Sequence, residues 1–268
     1  MSNLPTLPEL MKSLSEHCHY HDPPSDSPSF LFRGESCDFM YTHSSMDRHF
    51  HSLPVHSETY NELEKITAYI MQTPFVERAL GPREAAAYGQ HYGFPTQVVD
   101  FTASLHFAAN FAKASFGSPR QTSTGFLGFL DVRQACQSEH CELFDLRQHP
   151  TAKRAHKQAA YGLVYSRFIE DGFVDLKRSD IAGPLGLRWL LFRHEPEELD
   201  YLEALDVPDD LLDTSADSFA GLAEEMLDMY IAERGRVVPE TACILASTIP
   251  ALSHTKDENL QRWSRRVD

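Results

Sequence analysis

Residues 90–112 read QHYGFPTQVVDFTASLHFAANFA, and a turn, a strand and a helix follow one another in this run. Gly93 and Pro95 predict the turn, because glycine and proline interrupt regular structure most strongly. TQVVDF is short and β-branched, which favours a strand. ASLHFAANFAKASF then predicts an amphipathic helix. The positions on its apolar face are Leu105, Ala108, Phe111 and Ala112.

Polar residues of this run fall on one face of the predicted strand. Side chains alternate along a strand, so Thr96, Asp100 and Thr102 point the same way, with Val98 between them. Two interpretations stay open for them. The polar face either lines a ligand site, or it serves the fold, with Asp100 or Thr102 capping the next helix and His91 filling the turn.

An earlier segment offers a cationic candidate. SFLFRG, residues 29–34, predicts a short strand that ends at Gly34. The Arg33 guanidinium would suit a ligand, and Gly34 would let that ligand approach the backbone. The alternative is an ordinary ion pair of Arg33 with Glu35 or another acid, which these residues alone favour.

The remaining patterns predict further helices and strands around these two. Helices are predicted at 60–71, 82–93, 195–205 and 217–235, and Leu7, Leu10 and Leu14 share a face of an N-terminal one. Strands are predicted at 126–132, 161–168 and 187–193.

Composition limits the class of protein. With 268 residues, 42% of them hydrophobic, the chain can form one globular unit with a real core. A formal net charge of −15 opposes binding to a phosphate backbone. Five cysteines, an odd number, predict a reducing, cytoplasmic location rather than a disulfide framework. No apolar run reaches the roughly 18 residues of a membrane span, and a secretory signal is not expected.

Several kinds of site are disfavoured by spacing. The His and Cys residues at 17–21 and 136–141 lack the paired spacing of structural zinc, so we expect surface loops there and no metal. The sequence has neither a glycine-flanked nucleophilic serine nor a glycine-rich phosphate loop.

Four motifs carry a family resemblance. FLFRGE at 30–35, SMDR at 45–48, GQHYGFPTQVVDFTASLHFAANFA at 89–112 and RAHKQAAYG at 154–162 resemble, in order, the motifs of the FRG domain, named for its Phe-Arg-Gly signature. The resemblance implies an N-terminal segment 1–27, a domain core 28–180, and a portion 181–268 that completes or extends the same domain. Phe101 stands where the family usually has Trp, and the spacing from Gln158 to Gly162 is longer than in the family.

The order of elements is also similar, more distantly, to ADP-ribosyltransferases of the Arg-Ser-Glu type. That similarity implies an α+β fold with a mixed, split β-sheet core, flanking helices and a helical C-terminal portion. It implies NAD as substrate, with no metal, and Arg33, Thr102 and Gln158 as catalytic residues. The implied NAD-binding residues are Arg33, Gly34, Gln90, His91, Tyr92, Thr96 and Asp100.

The implied roles differ among these residues. Arg33 would hold the phosphates or the adenosine ribose, and Thr102 would hold the nicotinamide ribose or order the site. Tyr92 or His91 would contact the nicotinamide. Gln158 stands where these enzymes have a Glu, so it keeps a hydrogen bond and loses the charge. Glu170 or Asp171 is an alternative source of that charge.

Two functions are therefore expected as alternatives. One is an NAD-dependent ADP-ribosyltransferase, a toxin or defence effector that modifies a protein or nucleic acid. The other is a non-catalytic module that binds a nucleotide or a partner. Direct nucleic-acid binding is disfavoured by the net charge, although a local basic patch would suffice. Its candidate residues are Arg154, Lys157, Lys177 and Arg178.

Overall fold

The computed structural model describes residues 4–37, 42, 44–46, 58–71, 80–91, 94–113, 122–148, 152–165 and 175–205, with the single residues 225, 229, 230, 232, 241, 244 and 245. Its strands are β1 (Phe30–Glu35), β2 (Val98–Thr102), β3 (Thr124–Asp131), β4 (Cys141–Asp145), β5 (Ala160–Tyr165) and β6 (Leu187–Arg193). Its helices are α1 (Leu7–His17), α2 (Glu58–Met71), α3 (Pro82–His91), α4 (Leu105–Ala112), α5 (Val132–Cys136), α6 (Lys153–Lys157), α7 (Ser179–Leu185) and α8 (Glu197–Glu203), with a 3-10 turn at Leu146–Gln148.

The six strands form one open sheet in the order β4-β5-β2-β1-β3-β6. Each neighbouring pair is antiparallel. The α+β class is therefore confirmed, while the expectation of a mixed sheet is wrong for the described strands. β6 belongs to the portion after residue 180, so that portion is not wholly helical and adds an edge strand to the sheet.

Helices and loops cover both faces of the sheet. On one face, Leu31, Phe101 and Leu163 pack in a cluster with Ala135 of α5 and Leu185 of α7. On the other face, two clusters form beneath longer helices. One joins α1, α4 and α8 to β1, β3 and β6, and the second joins α2 and α3 to β2 and β5.

Helix α4 lies directly against the backbone of β1. A Cβ atom built on Gly34 would stand 1.8 Å from the carbonyl oxygen of Ala108 and 2.7 Å from the amide nitrogen of Ala112. Only a residue without a side chain allows this approach. The glycine of the Phe-Arg-Gly signature is thus required by helix packing, and α4 fills the space that its side chain would occupy.

The start of α4 differs from the prediction. Ser104, not Asp100 or Thr102, is the N-cap, and its side-chain oxygen accepts a hydrogen bond from the amide of Phe107. Phe111, expected on the apolar face, is 41% exposed. The helix therefore begins later than the sequence pattern indicates. At about 100° per residue, Phe111 lies beyond the edge of the buried face, which is formed by Leu105, Ala108, Ala109 and Ala112.

Several other elements agree with the sequence. α1 buries Leu7, Leu10 and Leu14, as their spacing predicts. β6 spans the predicted residues 187–193. β4 was not predicted, since its sequence falls next to a stretch assigned to a loop. No helix in the described part of the chain is long and apolar enough to cross a membrane.

Candidate functional site

Strands β1 and β2 separate just where Arg33 lies. They share a single registered pair, Phe32 with Thr102, whereas β1 and β3 are paired along the whole of β1. The Arg33 side chain bridges this split, and its Nη1 donates to the backbone carbonyl of Asp100 at 2.7 Å. A guanidinium therefore takes the place of a backbone contact between the two strands.

Glu35 holds the other edge of the same guanidinium. The Nε of Arg33 lies 3.3 Å from the Oε1 of Glu35, so the ion pair offered as the alternative for Arg33 is confirmed. Nη2 makes no hydrogen bond within the part of the chain that the structure describes, and the Arg33 side chain is 21% exposed. Arg33 is thus fixed on one side and available on the other.

A second cation shares Glu35. The Nζ of Lys177 lies 2.8 Å from Oε2 of this carboxylate, and Thr42 donates its hydroxyl to Oε1 at 2.9 Å. The Lys177 ammonium also stands 4.0 Å from the centroid of the Phe126 ring, a cation-π arrangement. Since Lys177 is 11% exposed, it is not part of a surface basic patch as expected.

The backbone around Lys177 is anchored to the same place. The Asp175 carboxylate accepts hydrogen bonds from the amides of Thr42 and Lys177, both at 2.9 Å. Trp189 of β6 donates its indole N–H to the carbonyl of Leu176 at 3.1 Å. These contacts hold Lys177 in position against the split.

A network of polar side chains lies on the β2 side. The Nε2 of Gln90 donates to the carboxylate of Asp100 at 3.3 Å, and its Oε1 accepts from the hydroxyls of Ser45 and Thr96. The Thr96 hydroxyl also accepts from the amide of Val98. The Thr96 hydroxyl is thus engaged with Gln90 and the backbone of β2, so it supports Gln90.

Thr102 and Gln158 meet each other at the far end of β2. The Thr102 hydroxyl donates to the carbonyl of Gln158 at 2.6 Å and accepts from the amide of Ser104 at 2.9 Å. Both residues are buried, at 4% and 2% exposure. The two hydrogen bonds occupy the Thr102 hydroxyl with the connection between β2, α4 and the start of β5.

His91 is buried at the end of α3. Burial and the nearby Arg154 guanidinium lower the pKa of its imidazole to about 3, although a hydrogen bond to the Arg154 backbone acts in the opposite direction. His91 is therefore neutral at pH 7. Tyr92, expected beside it, lies outside the described residues, as do Glu170 and Asp171.

The structure brings together part of the predicted set. Arg33, Gln90 and Asp100 are partly exposed and are linked through Asp100, whose carbonyl bonds Arg33 and whose carboxylate bonds Gln90. The other described candidates are accounted for by packing or by buried hydrogen bonds: Gly34, His91, Thr96, Thr102 and Gln158. We call Arg33, Glu35, Gln90, Asp100 and Lys177 the Arg33 cluster.

Sequence reasoning missed two members of the Arg33 cluster in this role. Glu35 is two residues from Arg33 on one strand, a spacing that puts both side chains on one face. That signal was present in the sequence. Lys177 is far away along the chain, and only the tertiary structure brings it to Glu35. In the described ranges, no three His, Cys, Asp or Glu side chains are grouped as a metal site.

Comparisons with known proteins support a family and nothing finer. The model of the FRG domain matches residues 28–120, a range that begins at the predicted residue 28 and includes three of the four motifs. No curated protein matches the chain, and no solved structure matches it either. Residues 28–120, the part of the chain that holds Arg33, Gln90 and Asp100, therefore match the FRG domain.

Proposed function

We propose that this protein binds a ribose-containing nucleotide of the NAD class at the Arg33 cluster and does not consume it. The observation that carries the proposal is the state of Arg33. Its guanidinium is held on two sides at the split between β1 and β2, by the Asp100 carbonyl and the Glu35 carboxylate, and Nη2 makes no hydrogen bond among the described residues. A fixed guanidinium with a donor left over suits a phosphate group.

Each part of such a ligand has a chemical counterpart. A guanidinium donates charge-assisted hydrogen bonds to phosphate oxygens and keeps its charge at any physiological pH. A carboxylate accepts hydrogen bonds from ribose hydroxyls, as acidic residues do in dinucleotide-binding folds. Asp100, whose Oδ2 accepts from Gln90 and whose backbone carbonyl is bonded by Arg33, is the residue to which we assign this second role. Arg33 would therefore bind the phosphate of the ligand, and Asp100 would bind its ribose.

We infer binding without turnover from the state of the residues that ADP-ribosyl transfer would need. Thr102, assigned to the nicotinamide ribose, is buried and uses its hydroxyl for two structural hydrogen bonds. Gln158 is buried and uncharged, so it supplies no negative charge to an oxocarbenium-like centre. Among the residues proposed for catalysis, Arg33 alone has a polar group available.

The NAD-dependent ADP-ribosyltransferase remains the second candidate function. The observation in its favour is the order of elements after Arg33, a strand that runs into α4 followed by two further strands of the sheet. This order follows the plan of that fold, which is an analogy of fold and not of chemistry. Nicotinamide release is the result that would favour this second candidate.

Calorimetric titration with NAD tests the proposal. We expect saturable binding to the wild type, weakened by about tenfold or more in Arg33→Lys, because Lys keeps the charge but loses the planar set of donors. Asp100→Asn should also weaken NAD, while weakening inorganic pyrophosphate far less. No saturable binding to the folded wild type would overturn the proposal.

A matched control exists on the surface. Arg178 pairs with Asp180 two residues away, as Arg33 pairs with Glu35, but its side chain is 58% exposed and outside the Arg33 cluster. Arg178→Lys should leave NAD binding unchanged. Equal losses in Arg33→Lys and Arg178→Lys would indicate non-specific electrostatics instead of a site.

A further inference from the structure

A second cavity lies between two helices and the sheet, away from Arg33. It has a volume of about 230 Å³ and is enclosed by α2, α3, the segment before β2, and Val164 of β5. Apolar groups make up most of its wall, including Met46, Ala68 and Ala86. Since an engineered apolar cavity of roughly 150 Å³ binds benzene, this one has room for an aromatic ring with a short chain.

One polar group in the wall is left without a partner. Thr67 of α2 is 2% exposed, and its hydroxyl oxygen makes no hydrogen bond to any residue that the structure describes. Its methyl group faces Gly89 on α3, where an added Cβ would come within 2.5 Å of it. A buried hydroxyl without a hydrogen-bond partner lowers the stability of the folded protein. A ligand that forms a hydrogen bond with it would therefore gain binding free energy.

The charged group at the rim of the cavity, the Glu64 carboxylate, determines which charge the ligand carries. Glu64 on α2 accepts a hydrogen bond from the Nε2 of Gln97 at 3.2 Å through Oε1. In the described residues, Glu64 has no cationic partner, and burial raises the pKa of its carboxyl group. Arg83, which also lines the cavity, is paired instead with Glu142.

These observations favour a cation over an anion or a neutral molecule. An ammonium group at the rim would give the Glu64 carboxylate an opposite charge, which it lacks among the described residues. An ammonium carries three N–H donors, which leaves a donor for the hydroxyl of Thr67, one helical turn further along α2. We propose that this cavity is a binding site for a small organic amine whose apolar body is about one aromatic ring in size.

Three probes of matched size test the proposal by titration calorimetry on the whole chain. Phenethylamine is the amine, 2-phenylethanol is its neutral counterpart, and phenylacetate carries the opposite charge. We expect saturable binding of phenethylamine, about tenfold weaker binding of the alcohol, and no binding of phenylacetate. Failure of phenethylamine to bind, or tighter binding of the alcohol, would overturn the proposal.

Two variants identify the site. In Glu64→Gln, which changes an exposed rim residue, the amine and the alcohol should bind within about twofold of each other. Ala86→Leu fills the cavity and should abolish binding of both probes; circular dichroism shows whether this variant folds, and if it does not, Glu64→Gln alone decides. An unchanged preference for the amine in Glu64→Gln would contradict the assignment.

Controls separate this site from other surfaces and from the Arg33 cluster. Glu58 is on the same helix as Glu64, is exposed and does not line the cavity, so Glu58→Gln should bind phenethylamine like the wild type. Arg33→Lys should do the same, because Arg33 does not line the cavity. Loss of binding in Glu58→Gln would mean that the amine responds only to net charge.

Discussion

Replacing Gly34 by alanine should unfold the protein at markedly lower denaturant concentration. The new Cβ would meet the Ala108 carbonyl oxygen at 1.8 Å, while real Cβ contacts are essentially never under 3.0 Å. Helix α4 must then withdraw from β1 by the difference, at least about 1.2 Å. Overpacking costs about 1–3 kcal/mol when side chains can adjust. Here the obstacle is helix backbone, so we expect about 3 kcal/mol or more, a fall in Tm of about 6–12 °C.

Equilibrium unfolding in urea, followed by circular dichroism, gives the free energy directly. Gly183→Ala is the control, since nothing lies within 4 Å of a Cβ at that position of α7. It should be neutral or stabilise by about 0.5–1 kcal/mol. A Gly34→Ala protein that unfolds within about 0.5 kcal/mol of the wild type but loses a ligand would refute our reasoning, because the glycine would then serve binding and not packing.

Other predictions concern buried polar groups. Thr67→Val should stabilise the protein by about 1 kcal/mol because it removes an unpartnered hydroxyl, whereas Thr102→Val should destabilise it by about 1–3 kcal/mol because it orphans the carbonyl of Gln158. If both variants shift the urea midpoint in the same direction from that of the wild type, this reasoning is contradicted. The pair His194–Glu198 has both side chains 1% exposed; burial lowers the pKa of His194, but hydrogen bonds to Glu198 and a backbone carbonyl outweigh burial and raise it. A raised folded pKa stabilises below the unfolded value of about 6.5, and this stabilisation is lost as pH rises through the folded pKa. The difference in unfolding free energy between wild type and Glu198→Gln should therefore shrink with rising pH, and a constant difference would be the contrary result.

Local patterns were enough to predict much of the fold. Periodicity identified α1 from its leucines and located β6 within its observed bounds, since both depend on residues close together in sequence. β4 was not predicted because it is an edge strand with a weak pattern. Its sequence, CELFD, alternates only weakly between apolar and polar residues, and most of its residues are only partly buried. It forms a strand because β5 pairs with it, a contact that the residues of β4 alone do not reveal.

The candidate site was predictable only in part. Motif spacing drew attention to Arg33, Gln90 and Asp100, and the structure links the first two through the carbonyl and the carboxylate of the third. Motif spacing does not distinguish a polar residue that faces a ligand from one whose polar group forms hydrogen bonds inside the fold. Thr102 and Gln158 are examples, because their hydrogen bond joins residues distant in sequence and depends on how β2, α4 and β5 pack.

One experiment tests the nucleotide proposal most directly. Purified protein is mixed with NAD, and a single series of proton NMR spectra follows both ligand binding, by saturation transfer to NAD, and the appearance of free nicotinamide. The account predicts saturation transfer that Arg33→Lys loses, with NAD intact over many hours. Steady nicotinamide release that depends on Arg33 would contradict binding without turnover, and absence of saturation transfer in the wild type would contradict the nucleotide site itself.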